Sequence, residues 1–131
     1  MIYVAMYEVS VSWKFSAAHA IVLPDGQREK PHKHRWTATA TFRSDRLNPP
    51  GELVVDFVWA LKLGKSVTRD LSEQYNDKAI RCSAVSLSAE RLAELIAKKL
   101  IERMGQGERL FSVSVTESPG CRATYYISRA D

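Results

Sequence analysis

His32-Lys33-His34-Arg35-Trp36 is the stretch that decides the fold, read with Phe15-Ser16-Ala17-Ala18-His19 upstream; together they hold all three histidines of the chain. In an extended strand successive side chains leave opposite faces, so His32 and His34 share a face with Trp36, Ala38, Ala40 and Phe42. Lys33, Arg35, Thr37, Thr39, Thr41 and Arg43 take the other face. That alternation predicts a half-buried strand with its imidazoles on the core side. Upstream, Tyr7, Val9, Val11, Trp13 and Phe15 alternate with Glu8, Ser10, Ser12 and Lys14, and His19 continues the apolar parity. A first strand is therefore expected from Ile2 or Tyr7 to Ala18. The 12-residue loop from Ala20 to Pro31, with the turn signal Pro24-Asp25-Gly26, returns the chain so that the two strands pair antiparallel.

An H-x-H pair alone fits hydrogen-bonded core histidines as well as it fits a metal. A third imidazole of the same parity favours the metal: His19, His32 and His34 would hold Zn²⁺ on three nitrogens and leave one position open, the usual catalytic arrangement.

Composition sets the frame. At 131 residues the chain is expected to form one domain, residues 1–131, short enough that oligomerisation often completes such folds. Nineteen basic against fifteen acidic residues give a formal +4, scattered rather than gathered into a tail. Arg28-Glu29-Lys30, Lys33 and Arg35 place positive charge near the histidines, suited to drawing in a carboxylate or phosphate. No aromatic and basic stacking platform speaks for nucleic acid. Cys82 and Cys121 lie far apart without C-x-x-C spacing, which fits a reducing cytoplasm, and Met1 to Met6 has neither the basic leader of a signal peptide nor the length of a membrane span.

Beyond the histidine strand, Leu47-Asn48-Pro49-Pro50-Gly51 breaks the pattern. Asp56 is placed to cap a helix over Phe57 to Leu71, in which Phe57 or Val58, Leu61, Val67 and Leu71 recur at helical spacing around Gly64. Ser72 to Val85 is aperiodic, with Asn76-Asp77 read as a turn. Ser88 caps a stronger helix striped by Leu92, Leu95, Ile96, Leu100 and Met104, with Glu94 four residues before Lys98 and Gly105 at its end. Two strands follow, Leu110 to Glu117 and Ala123 to Ser128, joined by Ser118-Pro119-Gly120. The order strand, strand, helix, helix, strand, strand predicts an α+β domain: an antiparallel sheet with both helices on one face. In the third strand Phe111, Val113, Val115 and Glu117 share a face, and a carboxylate closing an apolar row can accept two parallel N–H bonds from an amidine-like edge.

Phe15-x-Ala17-Ala18-His19, His32-x-His34, Val54-Val55-Asp56-Phe57, Ser88-x-Glu90 and Thr116-Glu117 with Tyr125 beyond resemble, in order and at similar spacing, the 6-pyruvoyltetrahydropterin synthase and 6-carboxytetrahydropterin synthase family. The resemblance covers nearly the whole chain. It implies the tunnelling fold, ββααββ, whose trimers close a twelve-stranded barrel and stack into a homohexamer. It implies His19, His32 and His34 as zinc ligands, and Glu117 as the carboxylate that grips the ring edge of a pterin. Arg28 and Thr116 are expected beside it as further substrate contacts.

The departures bear on chemistry. Where the family carries a cysteine four residues before the first histidine of the pair, this chain has Arg28; where it carries an Asp-His pair after the first helix, this chain has Ser72-Glu73. The glycine usually enclosed by the two histidines is Lys33. Arginine cannot act as a base at neutral pH, so the proton-handling set is expected to be rebuilt, with Glu73, Glu29 and Lys33 as candidates. The expected activity is a zinc-dependent lyase or synthase acting on a pterin or another heteroaromatic small molecule with altered chemistry. The alternatives are a repurposed cyclase of amine and aldehyde, of Pictet–Spengler type, and a binder that does not turn its ligand over.

Overall fold

The structure, a computed structural model, describes residues 5–76, 78, 86–104 and 109–127. Strand β1 (Tyr7–His19) pairs with β2 (His32–Ser44) antiparallel and without a slip, from Tyr7 opposite Ser44 to His19 opposite His32. The register is fixed by the apolar parity, because a shift of one residue would turn Val11, Trp13 and Phe15 into solvent. The intervening loop folds on itself: Gly26 at φ 88° makes the turn that Pro24-Asp25-Gly26 announces, and Glu29 N–H donates to the Ile21 carbonyl at 2.8 Å.

Helix α1 (Phe57–Gln74) starts where Asp56 accepts from the Val58 and Trp59 amides, at 2.8 and 3.4 Å. It runs on past Leu71, beyond the expected end. Ser72 breaks the apolar period yet stays helical because its hydroxyl donates to the Thr68 carbonyl at 2.8 Å and also lies in bonding contact with the Ser16 carbonyl of β1. Phe57 and Val58, expected on the inner stripe, are exposed, and Ala60 and Gly64 take the inward places. Gly64 lets the helix close on the sheet: a Cβ there would stand 2.5 Å from Trp13 Cη2. The same Trp13 donates its indole N–H to Thr68 Oγ1 at 3.0 Å, so this tryptophan fixes α1 on β1 by shape and by a buried bond.

Helix α2 (Ala89–Met104) is capped by Ser88, whose hydroxyl accepts from the Arg91 amide at 3.1 Å, and it buries Leu92, Ile96 and Leu100 against β3 (Leu110–Ser118) and β4 (Cys121–Tyr126). Each such side chain taken from water contributes about 1.5–3 kcal/mol. Arg103 joins the helices by donating to Ser66 at 2.8 Å and to Asp70. Strand β4 begins at Cys121, two residues before expected, directly after the turn at Gly120 with φ 85°. The sheet order is β1-β2-β3-β4 with all neighbours antiparallel, and the helices cover one face. This is the ββααββ tunnelling fold. Both β1 and β4 are edges within the chain. Ile2, Asp77, Cys82, Gly105 and Ser128 lie outside the described residues, so the expectations that fall on them do too. Among the described residues no helix is long and apolar enough to cross a membrane.

Candidate metal centre

The β1/β2 ladder ends with His19 opposite His32, and Ala17 opposite His34, so the strand pairing alone gathers the three imidazoles. Trp36, fully buried, forms their floor: its ring lies 4.9 Å from that of His19 and 5.9 Å from that of His34, edge to face in both cases. His19 is buried, whereas His32 and His34 are half-buried, less enclosed than an all-core reading of that face implies.

Backbone carbonyls set two of the tautomers. His19 Nδ1 lies 3.0 Å from the Leu87 carbonyl and His32 Nδ1 lies 2.9 Å from the Lys30 carbonyl. A carbonyl only accepts, so both Nδ1 atoms carry the proton, and in the neutral ring each Nε2 then presents its lone pair. Those two lone pairs face each other at 2.9 Å. Glu117 Oε1 approaches as well, 3.3 Å from His19 Nε2 and 3.1 Å from His34 Nε2. The four ligand atoms lie within 4.8 Å of one another. Neighbouring ligand atoms on tetrahedral zinc stand about 3.3 Å apart, from metal–nitrogen bonds of about 2.0–2.1 Å, so the donor set has the span a small divalent ion requires. Two lone pairs aimed at each other repel unless a proton or a metal ion lies between them, and the further approach of His34 and Glu117 gives a metal ion four donors there. Burial pushes the His19 imidazole below its ordinary range, against the opposing pull of the Leu87 carbonyl and the Glu117 carboxylate. The neutral form that ligates a metal is thereby favoured.

Strand β3 changes register at Glu117: Thr116 pairs with Arg122 but Ser118 pairs with Cys121, leaving Glu117 as the extra residue. Glu117 thus stands where its parity with Val113 and Val115 places it, on the imidazole face, at a bulge. A cavity of about 440 Å³ opens beside it, lined by Glu117, Glu90, Cys121 and Arg122. Glu90 had no role in the sequence beyond opening the helix. It arrives because Leu87 is tied to the end of β1 in both directions, its N–H donating to the Ala20 carbonyl at 2.9 Å and its own carbonyl taking the His19 proton. The signal available was a carboxylate in a first helical turn, which the helix dipole explains equally well.

The remaining expected residues are spread around this centre. Glu29 lies 3.7 Å from His32 Nδ1 through Oε1, a buried oxygen without a hydrogen-bond partner. Arg28 is half-buried in the same loop, bridged to Val22. Lys33 leaves the other face of β2 from the imidazoles, and Thr116 pairs with Thr37 of β2 and Arg122 of β4 beside the bulge. Glu73 is exposed on the last turn of α1 and is not among the gathered groups.

A fold of this order with this donor set belongs to a known class. The family model for 6-pyruvoyl tetrahydropterin synthase matches residues 8–128, and the chain belongs to that family. The 6-pyruvoyl tetrahydropterin synthase of Caenorhabditis elegans superposes with a TM-score of 0.75 at 20% identity, covering 98% of this chain and 100% of that one. The enzyme of Plasmodium vivax superposes with a TM-score of 0.71 at 19% identity, covering 95% and 99%. A second structure of the Plasmodium vivax enzyme, at 18% identity, TM-score 0.70 and coverage of 95% and 99%, is described as a glutamate-to-cysteine mutant of a catalytic residue. No curated protein sequence matches the chain.

Proposed function

We propose that this chain is a zinc-dependent enzyme of the pterin-synthase type, holding the ion on His19, His32 and His34 and acting on a pterin or a related heteroaromatic small molecule in a cytoplasmic homohexamer. The observation that carries this reading is the gathering of the three imidazoles and Glu117 within 4.8 Å, with the Leu87 and Lys30 carbonyls turning the Nδ1 atoms of two rings outward. When bound, zinc supplies Lewis-acid polarisation of oxygens on the substrate side chain.

The chain's own residues do the rest. The two carbonyls keep the imidazoles neutral and aimed, as outer partners of metal-bound histidines do. Glu117 and Glu90 present carboxylates to one cavity and accept N–H donors from the ring edge of a ligand, which suits an amino-substituted heteroaromatic better than an acid. Proton abstraction falls to Glu29. Its Oε1 is buried, unpartnered and next to His32, so an unused lone pair is held at the edge of the centre. A carboxylate in place of the family's thiol has a parallel in the Plasmodium vivax enzyme, whose catalytic residue named in one solved variant is a glutamate. Glu73, exposed at the end of α1, is available to a neighbouring subunit. The edges of β1 and β4 are the places where subunits would join to close a barrel.

The test is turnover of dihydroneopterin triphosphate, and of a panel of amine and aldehyde pairs, by the zinc-loaded protein and by Glu29→Gln. Consumption by the wild type that is lost in Glu29→Gln with the metal retained is the expected result. If ligands bind but none is consumed, the chain is a binder. If Glu29→Gln is fully active, the base lies elsewhere.

A further inference from the structure

We propose that Glu117 is an exchangeable fourth ligand of the ion: with the adjoining cavity empty its Oε1 closes the position left open by His19, His32 and His34, and the N–H edge of a seated ring draws it away. This rests on the metal and ring-edge readings above and adds to them a closed resting state. The nitrogens that Glu117 approaches decide its role. A carboxylate supporting a metal-bound histidine from outside takes the proton of the ring nitrogen turned away from the ion. Here main-chain oxygens hold those outer places, Leu87 behind His19 and Lys30 behind His32. Glu117 Oε1 stands on the ion's side instead, 3.3 Å from His19 Nε2 and 3.1 Å from His34 Nε2. One oxygen thus addresses two nitrogens from different strands, at the separation of about 3.3 Å that neighbouring ligands keep on tetrahedral zinc.

With its Nδ1 proton given to Leu87, a neutral His19 has no hydrogen to offer Oε1, so that contact joins two acceptors. A single proton relieves one such pair; both this contact and the 2.9 Å approach of His19 to His32 are relieved together by one metal ion. The same carboxylate is free to leave. Its side chain is 31% exposed, and among the described residues Oε2 has neither a hydrogen bond nor an ion pair. At the bulge Glu117 has no register partner on β2 or β4, which loosens the hold on its backbone. The cavity of about 440 Å³ beside it contains a second carboxylate, Glu90. While the cavity is empty, repulsion from Glu90 favours Glu117 turned toward the cation. Two parallel N–H groups engage both oxygens of one carboxylate, so seating such an edge competes with the contact that Oε1 makes to the centre. Glu117 then exchanges one partner for the other. The consequence is selectivity: the open position that catalytic zinc requires exists only with a ring of the right class in place, and small acids are kept off the ion until then.

The test loads the full chain with Co²⁺, whose visible absorption reports its ligand set, and titrates it with azide as a probe of an open coordination position. Azide is expected to bind Glu117→Ala and Glu117→Gln more tightly than the wild type by about tenfold or more, the scale of one charge-assisted contact. Circular dichroism checks that both variants are folded. Isocytosine carries an amine beside a ring N–H and has no side chain. At saturation it should raise the azide affinity of the wild type by a similar factor of about ten and leave that of the variants unchanged. The pyrimidinone lacking the amine should leave the wild type unchanged as well. Failure to take up Co²⁺ would remove the metal reading and the proposal with it. With cobalt bound, azide binding to the wild type as tightly as to the variants would overturn Glu117 as the resting ligand and leave the metal reading standing. Isocytosine that fails to bind, or that binds without changing azide affinity, would overturn the exchange.

Discussion

The two faces of the β1/β2 ladder at its His19/His32 end are built from alternating residues of the same strands and do opposite things. On the inner face, the ligand atoms of three imidazoles and Glu117 converge to within 4.8 Å of one another. On the outer face Lys14, Lys33 and Arg35 stand with no acid at this end of the ladder. The segment His32-Lys33-His34 serves both, one residue to each side in turn. Parity along a strand is thus enough to assign each side chain to a face, but the chemistry of the inner face depends on what distant elements bring to it: Glu117 from β3 and the Leu87 carbonyl before α2.

Exchanging the parity should produce the largest effect. With Lys33→His and His34→Lys combined, composition and strand propensity are kept but one imidazole moves to the outer face. Metal content is expected to fall from about one ion per chain to near none while circular dichroism still reports a folded sheet. A variant that keeps its metal would show that the strand face does not decide ligation. A smaller loss is expected when the donor from β3 is weakened. Glu117→Gln keeps the shape but removes the charge, and a chelator competition should show metal held about 10- to 100-fold less tightly, the scale seen for groups that support metal ligands.

Smaller again is Glu29→Gln, whose oxygen stands 3.7 Å from a nitrogen that already has its carbonyl. Metal affinity in that competition should shift by less than for Glu117→Gln, so that any loss of turnover is separable from loss of the ion. The smallest effect concerns how α1 is held to α2. Hydrogen bonding from Arg103 holds the Asp70 carboxyl below its ordinary range. The unfolded chain therefore takes up this proton more readily, and the contribution of the pair is present above pH about 4 and fades as pH falls below it. Asp70→Asn should flatten that part of a melting-temperature profile against pH and, the pair being exposed, change little at pH 7.

The architecture was legible because it rests on local regularities. Period-two runs in β1 and β2, the Asp56 and Ser88 caps and the glycine turns each act within a few residues, and each stands where the sequence puts it. The continuation of α1 through Ser72 was not legible, since the Ser16 carbonyl that receives its hydroxyl lies in another strand. Gly64 reads as a flaw in a helix until Trp13 is seen against it. The site divides in the same way. Three imidazoles on one face follow from parity, but the Leu87 carbonyl that fixes His19 and the arrival of Glu90 in the adjoining cavity both depend on contacts far apart in the chain.

The most direct measurement is the metal content of the purified wild-type chain, by elemental mass spectrometry after exposure to zinc and exhaustive dialysis. The convergence of His19, His32, His34 and Glu117 predicts about one tightly held zinc ion per chain. A protein that is folded by circular dichroism and retains none would contradict the assignment of this cluster as a metal centre.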